Sequence, residues 1–151
     1  MEIERKYLVA ALPEHLENYP CEKIAQGYLN RSPVIRVRRS NDDYYLTYKG
    51  KGLLIREEYN LPLNRESYEH LLPKADGIII EKTRYRIPLP NGLTAELDIF
   101  EKDLAPLRVV EVEFESVEDA NSFQPPEWFG TDVTEMPEYQ NSHMSQYGLP
   151  H

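Results

Sequence analysis

Apolar and polar residues alternate with a period of two along most of the chain, and this pattern predicts a protein built mainly of β-strands. The strands that we predict span residues 2–9, 22–30, 33–40, 43–49, 53–63, 78–89, 93–101 and 107–115. Turn residues separate neighbouring strands at 41–43 and 49–52. Asn91-Gly92, between two strand-like runs, indicates a two-residue β-hairpin. The pattern therefore favours a mainly antiparallel sheet.

Four short stretches have the pattern of helices. They cover residues 13–18, 64–72, 117–123 and 139–147. Asn64 is a suitable N-cap for the second stretch, and Gly148 is a suitable residue to end the fourth. We find no internal repeat, low-complexity tract or linker. The sequence thus predicts a single domain over residues 1–151, of the mainly β (α+β) class, with a few accessory helices.

The predicted number of strands favours a particular architecture. Eight strands that close into a barrel leave no exposed sheet edge. Eight is also about the smallest number whose interior holds a small ligand as well as side chains. We therefore expect a closed eight-stranded antiparallel β-barrel.

Composition agrees with one folded domain. The chain has 151 residues, of which 40% are apolar and 11% aromatic, so it is not a disordered composition. There is no apolar run of 18 residues or more and no signal-peptide pattern. Cys21 is the single cysteine, which excludes a disulfide framework and a cysteine metal cluster. We expect a cytoplasmic protein without membrane association.

The charge balance limits the class of partner. Seventeen Lys and Arg residues against 26 Asp and Glu residues give a formal net charge of −9. This charge disfavours binding of duplex nucleic acid through its phosphate backbone. It does not exclude a small anionic ligand, provided that the cations are concentrated in one place.

Charged residues share one face of most predicted strands, opposite an apolar face. The cations on these faces are Lys6, Arg36, Arg38, Lys49, Arg56, Lys82, Arg84 and Arg86, and the anions are Glu2, Glu4, Glu58, Glu96, Asp98, Glu111, Glu113 and Glu115. A β-sandwich with its charged faces in water would show the same alternation. Two details weigh against that alternative: acids and bases are grouped on separate strands, and arginine is over-used for a solvated face.

The residue types on these faces indicate a specific chemistry. The planar guanidinium of arginine matches a phosphate group bidentately. Closely set carboxylates suit hard cations such as Mg²⁺ or Mn²⁺. A barrel interior with both would bind a polyanion together with a divalent metal. It would have to stay wet, because so many ionised groups in a dry cavity would be prohibitively costly.

The opening residues Glu2-Ile3-Glu4-Arg5-Lys6 resemble the ExExK signature of the CYTH superfamily, the triphosphate tunnel metalloenzymes. The resemblance continues in Gln26-Gly27-Tyr28-Leu29, Arg36-Val37-Arg38, Thr47-Tyr48-Lys49, Arg56-Glu57-Glu58, Glu81-Lys82-Thr83-Arg84-Tyr85, Glu96-Leu97-Asp98, Glu111-Val112-Glu113 and, near the end, Trp128-Phe129-Gly130, Asp132-Val133-Thr134 and Tyr139-Gln140-Asn141. It implies an eight-stranded antiparallel β-tunnel with a charged, solvated interior. It also implies a small-molecule substrate with a triphosphate group, bound with a divalent metal.

The resemblance also implies a role for individual residues. The candidates for metal ligands are Glu2, Glu4, Glu58, Glu111 and Glu113. The candidates for phosphate binding are Lys6, Arg36, Arg38, Lys49, Arg56, Lys82 and Arg84. Arg86 lies near a strand end, where a solvated position on the rim is the alternative. Tyr28 corresponds to a tyrosine proposed in related enzymes to act as a base with the ExExK lysine, here Lys6, because a neighbouring ammonium favours tyrosinate.

The expected reaction is hydrolysis of inorganic tripolyphosphate to diphosphate and phosphate, with Mg²⁺ or Mn²⁺. An adenylate cyclase is the first alternative, because both enzymes need the same tunnel. A non-catalytic module that binds polyphosphate or nucleotides is the second. The paired carboxylates weigh against it, since anion binding alone needs cations more than acids. Tunnel proteins often pair through an outer face, which leaves a homodimer open.

Overall fold

Antiparallel pairing links the strands of the protein into one curved sheet. The computed structural model describes residues 1–150. The strands are β1 (Glu2–Val9), β2 (Cys21–Asn30), β3 (Val34–Ser40), β4 (Asp43–Lys49), β5 (Ile55–Arg56), β6 (Glu58–Leu63), β7 (Asp76–Pro88), β8 (Thr94–Phe100), β9 (Arg108–Glu113) and β10 (Phe129–Asp132). The α-helices are α1 (Arg65–Leu71), α2 (Val117–Ser122) and α3 (Asn141–Tyr147). Short 3-10 turns lie at Leu16–Asn18, Leu72–Lys74, Pro90–Gly92, Lys102–Leu104 and Pro137–Tyr139.

The sheet curls until its two ends almost meet. Its strand order is β10-β1-β9-β8-β7-β2-β3-β4-β6. β5 pairs with β1, where Arg56 lies opposite Glu2, and β6 pairs with β4, where Glu58 lies opposite Lys49. Because only Glu57 separates β5 from β6, this stretch connects the first strand to the last. The result is a nearly closed barrel.

All of the predicted strands are present, but the predicted count of eight is wrong. The segment 53–63 is divided into β5 and β6, because its first part pairs with β1 and its second part with β4. β10 lies outside every predicted strand. It has only four residues, and its pairing with β1, with Tyr7 opposite Asp132, depends on a contact distant in sequence. Local sequence therefore gave little sign of it.

Local residue chemistry explains the turns and the helix ends. Asn91 and Gly92 have φ values of 66° and 75°, as a tight hairpin between β7 and β8 requires. Asn64 Oδ1 accepts a hydrogen bond from the Ser67 backbone N–H at 2.7 Å, so it caps α1 as predicted. Of the four predicted helices, 13–18 forms only a 3-10 turn, and the other three are present with shorter bounds. Among residues 1–150, no helix is both long enough and apolar enough to cross a membrane.

Most of the hydrophobic core lies outside the barrel, between the sheet and the segments that cover it. One cluster joins the outer faces of β1, β8 and β9 to α2 and β10, through Tyr7, Leu97, Val110, Ala120 and Phe129 among others. A second cluster packs β3 and β4 against α1. Full burial of a Leu or Val side chain contributes about 1.5–3 kcal/mol. These outer contacts therefore stabilise the fold and leave the inner face available for charged residues.

A third cluster fills part of the barrel interior. Tyr28, Ile80, Phe100 and Val109 extend from the inner face of four strands and pack around Met144 of α3. The C-terminal helix thereby closes one part of the interior with apolar contacts. The remaining interior is the charged cavity.

Candidate active site

A cavity of about 230 Å³ lies inside the barrel. Every site residue predicted from the sequence lines it: Glu2, Glu4, Lys6, Tyr28, Arg36, Arg38, Lys49, Arg56, Glu58, Lys82, Arg84, Glu111 and Glu113. The strand alternation places their side chains inward, while the apolar residues between them face outward. Residues that are distant in sequence are thus brought to one place.

The first carboxylate pair of the cavity joins β1 to β9. Glu4 and Glu111 share a hydrogen bond, and Glu113 lies directly opposite Glu4 in the strand register. Burial and the neighbouring Glu111 raise the pKa of Glu4 well above its usual value. Burial also acts to raise the pKa of Glu111, but Lys6 and the hydrogen bond with Glu4 hold it well below its usual value. One proton shared between Glu4 and Glu111 accounts for this opposite pair of shifts.

The second carboxylate pair lies where the barrel closes. Lys49 Nζ is 3.1 Å from Glu2 Oε1 and 3.1 Å from Glu58 Oε2, and Arg56 Nε is 3.9 Å from Glu2 Oε1. Burial raises the pKa of Glu2 despite Lys49. Burial opposes ionisation of Glu58 as well, but Lys49 and a hydrogen bond with Glu2 lower its pKa to about 2. Burial and the charges of Glu58 and Glu96 raise the pKa of Glu113.

The cations of β7 already have an acidic partner. Asp98 is fully buried, with Lys82 Nζ at 2.7 Å and Arg84 Nε at 2.8 Å from its two oxygens. Burial lowers the pKa of Lys82 to about 7, while Asp98 acts in the opposite direction. Burial also opposes the charge of Arg84, but Asp98 raises the pKa of this guanidinium well above its usual value. We refer to Lys82, Arg84 and Asp98 as the ion cluster.

Arg36 and Arg38, the cations of β3 that line the cavity, have only neutral partners among the described residues. Arg36 Nη2 donates to Thr47 Oγ1 at 3.1 Å, and its buried Nε has no hydrogen-bond partner. Arg38 Nε donates to Gln26 Oε1 at 2.7 Å. Burial, together with the positive charges of Arg36 and Arg84, lowers the pKa of Arg38 to about 9. Arg38 therefore remains cationic at neutral pH, and neither guanidinium has a carboxylate in salt-bridge contact.

Lys6 and Tyr28 reach the cavity by different contacts. Lys6 Nζ donates to the backbone carbonyl of Tyr139 at 3.1 Å. The Tyr28 hydroxyl accepts a hydrogen bond from Gln26 Nε2 at 2.9 Å. Within residues 1–150, no hydrogen bond joins Lys6 directly to Tyr28. The C-terminal segment therefore takes part in holding Lys6.

Two residues of the site were not expected from the sequence. Asn141 lines the cavity from the start of α3, and Gln26 is fully buried on β2, in contact with Arg38 and Tyr28. The stretch Tyr139-Gln140-Asn141 carried part of the family resemblance, but its pattern gave no sign that it enters a barrel. Asp98 was recognised as an inward acid, but its role in the ion cluster depends on strand pairing. Arg86 is about half exposed and pairs with Glu22 and Glu96, in agreement with the alternative of a rim position.

The acids of the cavity fit a hard divalent cation by ligand type, because all are carboxylates. Two carboxylate pairs share hydrogen bonds, and the pKa values of Glu2, Glu4 and Glu113 are raised. Carboxylates held this close together attract a cation, because it reduces the repulsion between them. Among residues 1–150, however, no three acids converge closely enough to hold one ion together. Side-chain rotation would have to bring a third carboxylate to either pair.

Comparison with known proteins agrees with the geometry. The CYTH domain family matches residues 1–142. An inorganic triphosphatase of Nitrosomonas europaea is 44% identical over 144 residues, which cover 93% of each protein. An inorganic triphosphatase of Acetivibrio thermocellus is 34% identical over 151 residues, which cover 95% of this chain and 92% of the relative.

Solved structures show the same architecture. The crystal structure of an inorganic triphosphatase superposes with a TM-score of 0.72 at 38% identity, covering 96% of this chain and 94% of that one. A Hippeastrum protein at 15% identity superposes with a TM-score of 0.62 over 80% of this chain and 83% of that one, and it shares the fold.

Proposed function

The chain belongs to the CYTH domain family, and we propose that it is a divalent-metal-dependent hydrolase of triphosphates, with inorganic tripolyphosphate as its main substrate. The observation that carries this proposal is the sorted charge of the cavity, where paired carboxylates face cations that have no acidic partner. The relatives from Nitrosomonas europaea and Acetivibrio thermocellus, both inorganic triphosphatases, support the same substrate.

The proposed phosphate-binding residues differ in how freely they can bind an anion. Arg36 and Arg38 contact neutral groups only, so an incoming phosphate would be their first anionic partner. Lys6 donates to a backbone carbonyl, so its ammonium is also available to bind a phosphate. The remaining candidates, Lys49, Arg56, Lys82 and Arg84, already contact carboxylates. We infer that they contribute positive potential around the triphosphate.

The proposed metal ligands are Glu2, Glu4, Glu58, Glu111 and Glu113. Mg²⁺ or Mn²⁺, when bound there, would offset the charge of the triphosphate and acidify a water molecule. The carboxylates themselves would exchange a shared proton for the cation, which relieves the like-charge contact between Glu4 and Glu111. Their position facing the arginines would hold the metal beside the phosphates.

In the proposed reaction, water attacks a terminal phosphorus while the bond to the diphosphate leaving group breaks. Negative charge moves onto the leaving group, and Arg36, Arg38 and Lys6 would stabilise it. We assign the proton of the attacking water to the Tyr28 oxygen, which lies in the cavity wall and would take this proton as tyrosinate. Catalysis by this arrangement is mainly electrostatic, since the charged groups are fixed before substrate binds.

A panel of triphosphates tests the proposed function. Purified protein would be incubated with tripolyphosphate, ATP or thiamine triphosphate, with Mg²⁺, Mn²⁺ or EDTA, and phosphate and cyclic AMP would be measured. We expect tripolyphosphate to give the highest kcat/KM, and EDTA to abolish turnover. Cyclic AMP as the main product would establish the cyclase instead. Binding without turnover under every metal condition would indicate a non-catalytic module.

A further inference from the structure

Two amide side chains connect the catalytic candidates of the cavity. Gln26 on β2 has no exposed surface. Its Oε1 accepts from Arg38 Nε at 2.7 Å, and its Nε2 donates to the Tyr28 hydroxyl at 2.9 Å and to Asn141 Oδ1 at 3.3 Å. One side chain thus contacts a phosphate-binding candidate, the proposed base and the C-terminal helix.

The partners of Gln26 determine which way its amide faces. A guanidinium only donates, so Arg38 requires the carbonyl oxygen of Gln26 on its side. The NH₂ group must then face Tyr28 and Asn141. The Tyr28 oxygen accepts this bond, as the oxygen of a base can. Tyr28 also lines the cavity, so this oxygen is held beside the place where substrate would bind.

The orientation of the Asn141 amide follows from its partners in the same way. Its Oδ1 accepts from Gln26 Nε2 and from Lys82 Nζ at 3.2 Å, so its NH₂ group lies on the other side of the planar amide. The residue lines the cavity at the start of α3. It links the position of Gln26 to the ion cluster through Lys82.

We propose that Gln26 is a positioning residue for the reaction, which holds the Arg38 guanidinium and the Tyr28 hydroxyl in one fixed relation and is itself held by Asn141. The inference rests on the proposed function. The amide acts on substrate only through its neighbours. Replacement of Gln26 should therefore have two separable effects. It should weaken substrate binding through Arg38 and slow turnover through Tyr28.

Two substitutions separate these effects. Gln26→Met keeps the volume but removes all three hydrogen bonds, whereas Gln26→Glu keeps an acceptor for Arg38 and removes the donors. For tripolyphosphate, we expect both variants to lose about 10²-fold in kcat. Both should also raise KM, and Gln26→Glu should raise it more, because its carboxylate would give Arg38 the acidic partner that the wild type lacks. Equal KM values in the two variants would contradict the proposed hold on Arg38.

A double-mutant cycle tests whether Gln26 acts through Tyr28. In a Tyr28→Phe background, Gln26→Glu should lower kcat by less than about twofold, because its partner is already lost. Losses that multiply would overturn the inference while leaving the proposed function intact. A wild-type protein that hydrolyses no triphosphate would overturn both. If Gln26→Met does not fold, the cycle with Gln26→Glu still decides.

Ser145→Ala is the matched control for loss of a buried hydrogen bond. Ser145 is buried on α3 and donates to the Ser142 carbonyl at 2.7 Å, but it does not line the cavity. We expect its kcat to stay within about twofold of wild type. Thermal unfolding of every variant would show that kcat losses are not losses of folded protein.

Discussion

The cations of β3 and of β7 that line the cavity differ in their partners, because only those of β7 contact a carboxylate. Lys82 and Arg84 on β7 are matched within the ion cluster by Asp98. Arg36 on β3 is buried and Arg38 is half-buried, and both contact only neutral groups. We infer from this difference that a cation paired with a carboxylate inside the protein mainly stabilises the fold. A cation without such a partner is instead available to bind a ligand.

The acids of the cavity also differ in whether they contact a group of opposite charge. Asp98 is paired with cations, and burial that would raise its pKa is outweighed by Arg84 and Lys82, so the pKa is lowered. Glu4 is instead hydrogen-bonded to another carboxylate, and its pKa is raised. Unmatched acids and unmatched bases therefore coexist in one cavity, and a triphosphate with its metal would match both.

The largest expected effect is on the ion cluster. Asp98→Asn leaves Lys82 and Arg84 buried without their carboxylate, so the free energy of unfolding should fall by about 3–5 kcal/mol. Urea denaturation would measure the loss. Asp103→Asn, at an exposed position, is the control and should change stability by less than about 0.5 kcal/mol. If Asp98→Asn were as stable as the control, the ion cluster would not stabilise the fold.

The next effect is on an unmatched cation. Arg38→Ala should lower kcat/KM for tripolyphosphate by about 10²–10³-fold, because it removes a preorganised partner of the phosphate charge. Its stability should change far less than that of Asp98→Asn, since no acid is left unpaired. Steady-state kinetics beside urea denaturation separate the two properties. Arg39→Ala, on the outer face of the same strand, should keep kcat/KM within about twofold.

Arg36 allows a finer test of the same idea. Arg36→Lys keeps the positive charge but removes the planar fork that can bind a phosphate at two points. We expect kcat/KM for tripolyphosphate to fall by roughly tenfold, mostly through a higher KM. The same activity in Arg36→Lys as in wild type would show that charge alone matters at this position.

The smallest effect concerns pH and an unmatched acid. The pKa of Glu4 is raised on folding by burial and by Glu111, so Glu4 binds its proton more tightly in the folded state. Its contribution to stability is complete below the unfolded pKa of about 4.5 and is lost as pH rises through the folded value. In metal-free buffer, wild type should therefore lose stability relative to Glu4→Gln between pH 4.5 and neutral pH. Urea midpoints measured across this range check the sign. A difference that stayed constant with pH would contradict the assigned shift.

Much of the site could be predicted because strand alternation is a local property. Once Glu2, Glu4 and Lys6 share a face, and the later strands repeat the pattern, the set of inward residues follows without knowledge of pairing. The residues that escaped prediction depend on long-range contacts. Asn141 lies in a short helix with no charged pattern, and it joins the cavity only because Met144 anchors α3 inside the barrel.

The sequence by itself determined most of the strands, the inward set of charges and the family, since each depends on residue types and their spacing. The tertiary structure alone decided which charges are matched. In the sequence, Lys82 and Arg38 look alike, because each is an inward cation on a strand of alternating pattern. Strand pairing places Asp98 beside Lys82 and the neutral Gln26 beside Arg38. Because electrostatic energy depends on distance and burial, only the folded arrangement separates a structural ion pair from a charge kept for a ligand.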